Sequence, residues 1–282
     1  MILTYFVDGE RVSVQGPEPE DFFFGEDLIL SQNFSDVAST ATWYHEGYKV
    51  VRYARDAEFE QLKVAIENLI MRKILSVFPE KDLRGFRLEK YHEFVSQSEH
   101  VERMDRLVKR FFWDDINFED KPLIEKIERE IARRLDYTPV GSCEPHWIII
   151  RINMPGSLAY NPAHKDIYEG FDKDGVCPSM INAWVPVCGV SEQAGLAIVP
   201  NSHLIPESEI HRTKPGSQMN GNNYFVNCIK SWSGSADLRT IFPDQGEMLI
   251  FSSHLIHGLG RNKSPDTTRV ALEFRLHGQE SK

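Results

Sequence analysis

The periodicity of hydrophobic and polar residues is typical of helices in the first half of the chain and of strands in the second. From Asp56 to Phe78 the apolar residues recur every three or four positions, which predicts an amphipathic helix that ends before Pro79. These apolar positions are Phe59, Leu62, Ile66, Leu69, Ile70 and Ile74. Further helices are predicted from about Glu99 to Phe112 and from Asp120, a favourable N-cap residue. The helix from Asp120 carries an apolar stripe of Leu123, Ile127, Ile131 and Leu135.

Strand patterns occupy both ends of the chain. Near the N-terminus, TYFV and ERVSV flank Asp8-Gly9, a dipeptide suited to a type I′ turn, and this predicts a hairpin. After about Cys143, short β-rich runs are separated by Gly, Pro, Asn and Asp. The runs are HWIIIRINM, MINAWVPV, GLAIVP, NNYFVNCI, GEMLIFSS and TRVALEFRL. Several short strands with turn signals and no helix between them predict a sandwich or a barrel.

The helical and strand patterns together predict one domain over residues 1–282 that has two parts. Residues 1–142 form a helix-rich N-terminal part, and residues 143–282 form the β-rich core. Helices that pack on one face of a β-sandwich bury both apolar surfaces, so the two parts need not be separate domains.

Composition narrows the class of protein. The 282 residues are 41% hydrophobic and 26% charged, with a formal net charge of −10, which argues against a nucleic-acid binder. The four cysteines form no CxxC pair, and we expect reduced thiols. The N-terminus lacks the features of a signal peptide, and no apolar run approaches the roughly 18 residues that span a bilayer. We therefore expect a cytoplasmic protein without a membrane partner, and the oligomeric state stays open.

The stretch AHKDIYEG contains a possible half of a metal site. In extended backbone, residues i and i+2 point the same way, so His164 and Asp166 can reach one ion. Far downstream, GEMLIFSSHLIHGLGRN offers His254 and His257 as a further ligand. Two histidines and one carboxylate form the facial triad of non-haem Fe(II) oxygenases, which leaves three positions for a bidentate 2-oxo acid and O₂. A zinc hydrolase needs only one open position, and the triad alone does not choose between the two.

Arg269 opens the strand TRVALEFRL shortly after His257. An arginine on an inward face of an apolar barrel needs an anion, and a co-substrate carboxylate would supply one. The alternative is that Arg269 pairs with a structural Asp or Glu, as Glu273 and Arg275 on the same strand face could also do.

Six motifs occur in a characteristic order between about Trp147 and Leu276. They are HKD, NAWVPV, VPNSH, GEMLIF, HGLGRN and TR. In this order the region resembles the phytanoyl-CoA dioxygenase-like family of Fe(II)/2-oxoglutarate oxygenases, which includes ectoine hydroxylase. The resemblance implies an α+β fold with a mainly β core: a double-stranded β-helix, or cupin-like jelly roll, with the N-terminal helices packed on one sheet.

The resemblance also assigns roles to individual residues. It implies that His164, Asp166 and His257 are the iron ligands, with His257 preferred over His254 because Gly258 follows it. It further implies that Arg269 holds the distal carboxylate of 2-oxoglutarate. The residues expected beside the co-substrate are Asn153, Trp184 and Asn182, although Trp184 is equally well explained as a core aromatic residue.

The chain departs from the family pattern at three positions. Asn201 replaces a usual Gly, Glu247 replaces a commoner Asp, and Leu259 stands where many members carry a small hydroxyl residue that bonds the co-substrate. The ligand position of Asp166 is not vacated for chloride, which favours hydroxylation or desaturation over halogenation.

The expected function is a non-haem Fe(II)/2-oxoglutarate-dependent dioxygenase that uses O₂ to hydroxylate a C–H bond of a small polar or anionic metabolite and releases succinate and CO₂. The residues expected to contact the substrate are Tyr168, which continues the alternation of His164 and Asp166, together with Arg151, Glu273 and Arg275. A surface ion pair is the alternative for Arg151. The alternative functions are a cupin-like metal-binding protein without oxygenase activity and a peptide or protein hydroxylase.

Overall fold

The computed structural model describes residues 1–27, 36–105, 107, 111–112, 125, 129, 147–175 and 177–277. The helix predicted from Asp120 lies outside the described residues, apart from Glu125 and Arg129. Cys143 also lies outside them, and the three described cysteines, Cys177, Cys188 and Cys228, are free thiols. No described helix has both the length and the apolarity that a membrane span requires.

Strands dominate the part of the chain that the structure describes. In chain order they are β1 (Ile2–Val7), β2 (Glu10–Gln15), β3 (Phe23–Phe24), β4 (Tyr48–Arg52), β5 (Phe111–Phe112), β6 (Trp147–Asn153), β7 (Met180–Cys188), β8 (Leu196–Ile198), β9 (Ile210–Arg212), β10 (Gln218–Met219), β11 (Asn222–Asn223), β12 (Ile229–Trp232), β13 (Asp237–Ile241), β14 (Glu247–Ser252), β15 (His257–Gly258) and β16 (Arg269–His277). The helices are α1 (Asp56–Val77), α2 (Tyr91–Phe94), α3 (Gln97–Glu99) and α4 (Tyr168–Asp174), and a π-helical turn covers His100–Met104.

Two sheets form the body of the protein. The major sheet has the order β4-β14-β7-β16-β6-β5, and the minor sheet has the order β15-β8-β13-β1-β2. The apolar layer between them combines major-sheet residues such as Trp184 and Leu249 with minor-sheet residues such as Ile198. This strand-rich architecture agrees with the predicted double-stranded β-helix, although the sheets do not join into a closed barrel.

The first 142 residues contribute strands as well as helices. β4 pairs with β14 in the major sheet, and β1 pairs in parallel with β13 in the minor sheet. Asp8 and Gly9 have φ angles of 53° and 79°, so the predicted type I′ hairpin between β1 and β2 is confirmed. The N-terminal part is therefore built into both sheets of the β core.

Helix α1 is confirmed, and it ends immediately before Phe78 and Pro79. All six of its predicted apolar residues are buried in a cluster with residues of β7, β14 and β16. At its first turn the carboxylate of Glu58 accepts a hydrogen bond of 2.9 Å from the backbone N–H of Arg55. The predicted packing of an N-terminal helix on one sheet follows from this single apolar face.

Five of the six predicted β runs form strands, namely β6, β7, β8, β14 and β16. The prediction for NNYFVNCI is wrong over most of its length, because only Asn222–Asn223, in a short hairpin with β10, and the last residue, Ile229 at the start of β12, belong to strands. The backbone N–H of Tyr224 donates to the carbonyl of Ser217 (2.9 Å) next to that hairpin, but no regular strand continues from there to Cys228. The helix predicted up to Phe112 is also wrong at its end, since Phe111–Phe112 pairs with β6 as an edge strand.

Strand β16 crosses the centre of the major sheet and presents alternate residues to its inner face. Its pairing with β7 shifts between Val270 and Ala271, opposite Pro186. A proline cannot donate to the ladder, so within a central strand it is accommodated at a bulge. The bulge follows one residue after Arg269, the first cavity-facing residue of the strand.

Candidate metal centre and cavity

Two chain segments meet at the inner side of the sheets and bring three potential ligands together. His164 and His257 exchange backbone hydrogen bonds of 2.8 and 3.0 Å in an isolated antiparallel bridge. The backbone N–H of Asp166 donates to the carbonyl of Ser253 (3.2 Å). One ligand atom from each of His164, Asp166 and His257 lies within 4.8 Å of the others, and all three residues are buried. The predicted triad is therefore assembled in space.

Both histidine rings are held in one orientation by main-chain carbonyls. Nδ1 of His164 lies 2.7 Å from the carbonyl oxygen of Pro162, and Nδ1 of His257 lies 3.0 Å from that of Leu255. A carbonyl can only accept, so each Nδ1 carries the proton and each Nε2 keeps a free lone pair. The Nε2 atoms lie 3.5 and 3.7 Å from oxygens of Asp166. Two imidazole nitrogens and one carboxylate oxygen on one side of a cavity suit a divalent iron ion.

Electrostatics favour the ligand forms of these side chains. Burial alone would raise the pKa of Asp166, but Arg275, His257 and His164 outweigh it and hold that pKa well below its usual range. Burial, reinforced by the neighbouring His164, lowers the pKa of His257 to about 4. Near neutral pH the site therefore presents a carboxylate and a neutral imidazole.

Gly258 has a packing role at the meeting point of the two segments. Its φ is +139°, and an added Cβ would lie 2.1 Å from the carbonyl oxygen of Pro162. A larger residue would push His164 away from His257. By contrast, His254 does not line the cavity, and its Nε2 lies 3.8 Å from the sulfur of Cys177. The geometry agrees with the preference for His257.

Arg269 lies in the same cavity with neutral partners. Its side chain is 4% exposed and donates to the carbonyl of Gly195 and to Oδ1 of Asn153, its cross-strand neighbour in β6. No carboxylate of the described residues lies within ion-pair distance of its guanidinium. Burial lowers the pKa of Arg269 to about 10, so the group stays cationic at neutral pH. A buried cation held only by neutral acceptors has the charge and the hydrogen-bond donors that an anionic ligand requires.

The cavity has a volume of about 160 Å³ and contains ten of the eleven predicted site residues in its wall. These are His164, Asp166, His257, Arg269, Asn153, Trp184, Asn182, Arg151, Glu273 and Arg275. Asn182 donates to Oδ2 of Asp166 (2.8 Å), and the ring of Trp184 lies 5.8 Å from the Arg269 guanidinium.

The prediction that Tyr168 faces the cavity is wrong. The backbone leaves the extended conformation after Asp166 and enters α4, so the alternation of side chains does not continue to residue 168. Tyr168 is fully buried elsewhere, where its hydroxyl donates to Glu207 and the guanidinium of Arg212 lies 3.8 Å from its ring centre. Its position is structural.

The ion pairs of the cavity wall correct the alternative expectation that Arg151 belongs to an ion pair on the protein surface. Arg151 forms an ion pair of 2.9 Å with Glu273, but this pair lies in the cavity wall and not on the outer surface. Arg275 forms its ion pair of 2.9 Å with Asp166, the potential metal ligand. The charges of these four side chains therefore compensate each other inside the site.

Sequence reasoning missed several residues that line or support the site. Asp105, Tyr160, Asn222 and Tyr224 also line the cavity, but they come from distant segments without a local signal. Lys165, between the two HKD ligands, points the opposite way and forms a fully buried ion pair with Glu207 (2.8 Å). Strand alternation could have predicted that Lys165 faces away, but its partner is visible only in three dimensions.

The departures from the family pattern have local explanations at two positions. Asn201 has a φ of +65°, a conformation that asparagine tolerates better than most residues, which explains how it replaces glycine. Leu259 is buried in an apolar cluster and is not among the residues that line the cavity, which explains why an apolar side chain is accommodated there.

Similar folds occur among solved structures of low sequence identity. EvdO2 from Micromonospora carbonacea var. aurantiaca is 14% identical with a TM-score of 0.53, over 92% of this chain and 94% of that one. AviO1 from Streptomyces viridochromogenes Tue57 is 18% identical with a TM-score of 0.52, over 85% and 95%. EctD from S. alaskensis is 14% identical with a TM-score of 0.52, over 94% and 87%. At these identities the similarity concerns the fold alone.

Sequence comparison assigns the chain to a protein family. No curated protein sequence matches the chain significantly. The family model for phytanoyl-CoA dioxygenase, however, matches residues 43–271, which include every potential metal ligand and Arg269. The chain therefore belongs to the phytanoyl-CoA dioxygenase family and is an Fe(II)- and 2-oxoglutarate-dependent oxygenase.

Proposed function

We propose that the protein hydroxylates a C–H bond of a small polar or anionic metabolite, with release of succinate and CO₂. The observation that carries the proposal is one cavity with two elements: the buried group of His164, Asp166 and His257, and the buried Arg269 without a carboxylate partner among the described residues. A cupin-like protein that only binds a metal would have no use for such an arginine.

The metal ligands in this proposal are Nε2 of His164, Nε2 of His257 and the carboxylate of Asp166. With iron, 2-oxoglutarate and O₂ bound, the centre supplies the oxidation that converts a C–H bond into an alcohol. The carbonyls of Pro162 and Leu255 keep both imidazoles in the tautomer that binds a metal. The protein thus prepares the ligand set before the metal arrives.

Arg269 holds the distal carboxylate of 2-oxoglutarate in this proposal. Its bonds to Gly195 and Asn153 fix the guanidinium while leaving donors for an incoming anion. The nearby wall is formed by apolar and small side chains, including Trp184 and Phe251, which exclude water and strengthen the charge interaction.

The substrate occupies the more polar side of the same cavity. Arg151, Glu273, Asn222 and Tyr224 line it and offer both donors and acceptors. A structure of EctD from S. alaskensis, 13% identical with a TM-score of 0.50, was determined with 2-oxoglutarate and 5-hydroxyectoine. That complex supports a small-molecule substrate for a cavity on this fold.

The experiment is succinate formation with Fe(II), 2-oxoglutarate and a panel of polar and anionic metabolites, compared between the wild type and Asp166→Ala. We expect substrate-dependent succinate in the wild type and none above background in Asp166→Ala. Asp244→Ala, at an exposed aspartate, is the matched control and keeps wild-type turnover. Equal turnover in the wild type and Asp166→Ala would contradict the proposed mechanism.

A further inference from the structure

Two side chains from neighbouring strands of the major sheet donate hydrogen bonds to the carboxylate of Asp166. Asn182 in β7 and Arg275 in β16 are direct cross-strand partners. Nδ2 of Asn182 donates to Oδ2 of Asp166 (2.8 Å), and Nη2 of Arg275 donates to Oδ1 (2.9 Å). Each oxygen of the carboxylate therefore has its own donor, and we call Asn182 and Arg275 the carboxylate clamp.

The bond from Arg275 is specific to Asp166. Glu273 lies two residues earlier on the same strand face, but it forms its ion pair with Arg151 (2.9 Å), while Arg275 forms its ion pair with Asp166. The Arg275 side chain is 23% exposed and lies in the cavity wall, so it is not a packing residue of the core. An arginine in this place acts on the site through the carboxylate that it contacts.

A carboxylate rotates about its terminal torsion when its oxygens are free, because that torsion is broad and only weakly restricted. With one donor on each oxygen, rotation breaks at least one charge-assisted or amide hydrogen bond. The same two oxygens lie 3.5 Å from Nε2 of His164 and 3.7 Å from Nε2 of His257. The clamp therefore fixes the plane in which both carboxylate oxygens are presented to the histidines.

We propose that Arg275 is a positioning residue of the metal centre, which with Asn182 fixes the plane of the Asp166 carboxylate toward the two histidines. The inference rests on the proposed role of the triad as metal ligands. It changes the expected role of Arg275 from substrate contact to support of a ligand. Loss of such an outer-shell partner reduces metal affinity or activity by roughly 10- to 100-fold in metal sites generally.

The test uses Arg275→Met, which keeps an unbranched apolar chain of similar reach, and Arg275→Lys, which keeps the charge but not the planar fork. Arg239→Met, at an exposed strand arginine, is the matched control. Metal affinity is measured by titration with Mn(II) alone, followed by electron paramagnetic resonance. The ligand environment is measured by the metal-to-ligand charge-transfer band of the Fe(II) and 2-oxoglutarate complex under anaerobic conditions.

We expect Arg275→Met to bind Mn(II) about 10- to 100-fold more weakly than the wild type and to shift or weaken the charge-transfer band. Arg275→Lys should recover part of the Mn(II) affinity and part of the charge-transfer band. Arg239→Met should have the affinity and the band of the wild type. A purely structural role would lower the melting temperature while the folded protein kept its Mn(II) affinity and its band, and that result would overturn the proposal.

Two further outcomes keep the inference separate from the proposed function. If Arg275→Met does not fold, Arg275→Lys decides alone, and wild-type Mn(II) affinity together with a wild-type band in that variant overturns the proposal. If the wild type itself binds no Mn(II) or Fe(II), the proposed metal centre fails, and the role of Arg275 fails with it. If the wild type binds metal and the Arg275 variants bind it with the same affinity and the same band, the metal centre stands and the proposed role of Arg275 does not.

Discussion

At the scale of single residues, the chemistry of a side chain in this protein is decided by what its neighbours leave unsatisfied. Arg269 and Arg275 lie on the same face of one strand, and both line the cavity. Arg275 finds a carboxylate in Asp166, whereas Arg269 finds only the oxygens of Gly195 and Asn153. The same residue type therefore supports a metal ligand in one place and offers an anion site in the other.

Replacement of Arg269 tests this difference. In Arg269→Gln we expect the dissociation constant of 2-oxoglutarate to rise roughly 10- to 100-fold, because a charged hydrogen-bonded contact of about 1.5–3 kcal/mol is lost. The measurement is an anaerobic titration of the Fe(II)-loaded protein with 2-oxoglutarate, with Arg239→Gln as the control. Mn(II) affinity should stay near the wild-type value, since Arg269 does not contact the triad. An unchanged affinity for 2-oxoglutarate would remove Arg269 from the proposed co-substrate site.

At the scale of elements, the helix and the sheet have separate tasks. Helix α1 covers the outer face of the major sheet, and the cavity lies on the other face, where β16 places Arg269, Glu273 and Arg275. Stability that comes from the α1 interface should therefore be separable from the chemistry of the site.

A cavity-forming substitution in α1 tests this separation. Ile66 is fully buried against the major sheet, so Ile66→Ala should lower the free energy of unfolding by about 2–5 kcal/mol. Val64, on the same helix but 54% exposed, provides the control, and Val64→Ala should stay within about 0.5 kcal/mol of the wild type. Both values come from urea titrations. Succinate formation per folded molecule should be unchanged in both variants, and a selective loss in Ile66→Ala would show that α1 is coupled to the site.

At the scale of the whole molecule, metal binding and protonation both depend on how deeply the fold buries its histidines. Burial lowers the pKa of His254 to about 3 and that of His203 to about 4, from an ordinary value of 6.5. Between these folded-state values and 6.5, the unfolded chain binds protons that the folded chain does not. The free energy of unfolding therefore falls as the pH is lowered from about 6.5 toward 4.

His254→Gln should make this pH dependence shallower. Without His254, the unfolded chain takes up one proton fewer than before in this pH range. The slope of the free energy of unfolding against pH should therefore decrease by up to about 1.4 kcal/mol per pH unit in the middle of the range. The measurement is the free energy of unfolding from urea titrations at pH 7, 6 and 5. The exposed Val64 carries no titratable group and provides the control, so Val64→Ala should keep the wild-type slope. A parallel shift without a change of slope in His254→Gln would contradict the assignment.

Metal binding should stabilise the whole fold, because the triad joins segments that are far apart in the chain. At a Mn(II) concentration about 100 times the dissociation constant, we expect about 2.7 kcal/mol of stabilisation in the wild type and none in Asp166→Ala. Thermal unfolding with and without Mn(II) measures both. An equal rise of the melting temperature in Asp166→Ala would mean that the metal binds elsewhere.

The sequence by itself determined the features that depend on local backbone. The spacing of Phe59 to Ile74 determined α1, Asp8-Gly9 determined the first hairpin, and the order of HKD, HG and TR indicated the family. These signals are local because periodicity and turn conformation depend on neighbours only a few residues away.

Only the tertiary structure decided which distant groups meet. It turned Tyr168 into α4 and away from the cavity, placed Phe111–Phe112 beside β6, and paired Arg275 with Asp166 across more than one hundred residues of chain. The charge of Arg275 was visible in the sequence, but its partner was not, because an ion pair depends on where the sheets bring side chains together. For the same reason the sequence predicted an iron site, and the fold decided how its carboxylate is held.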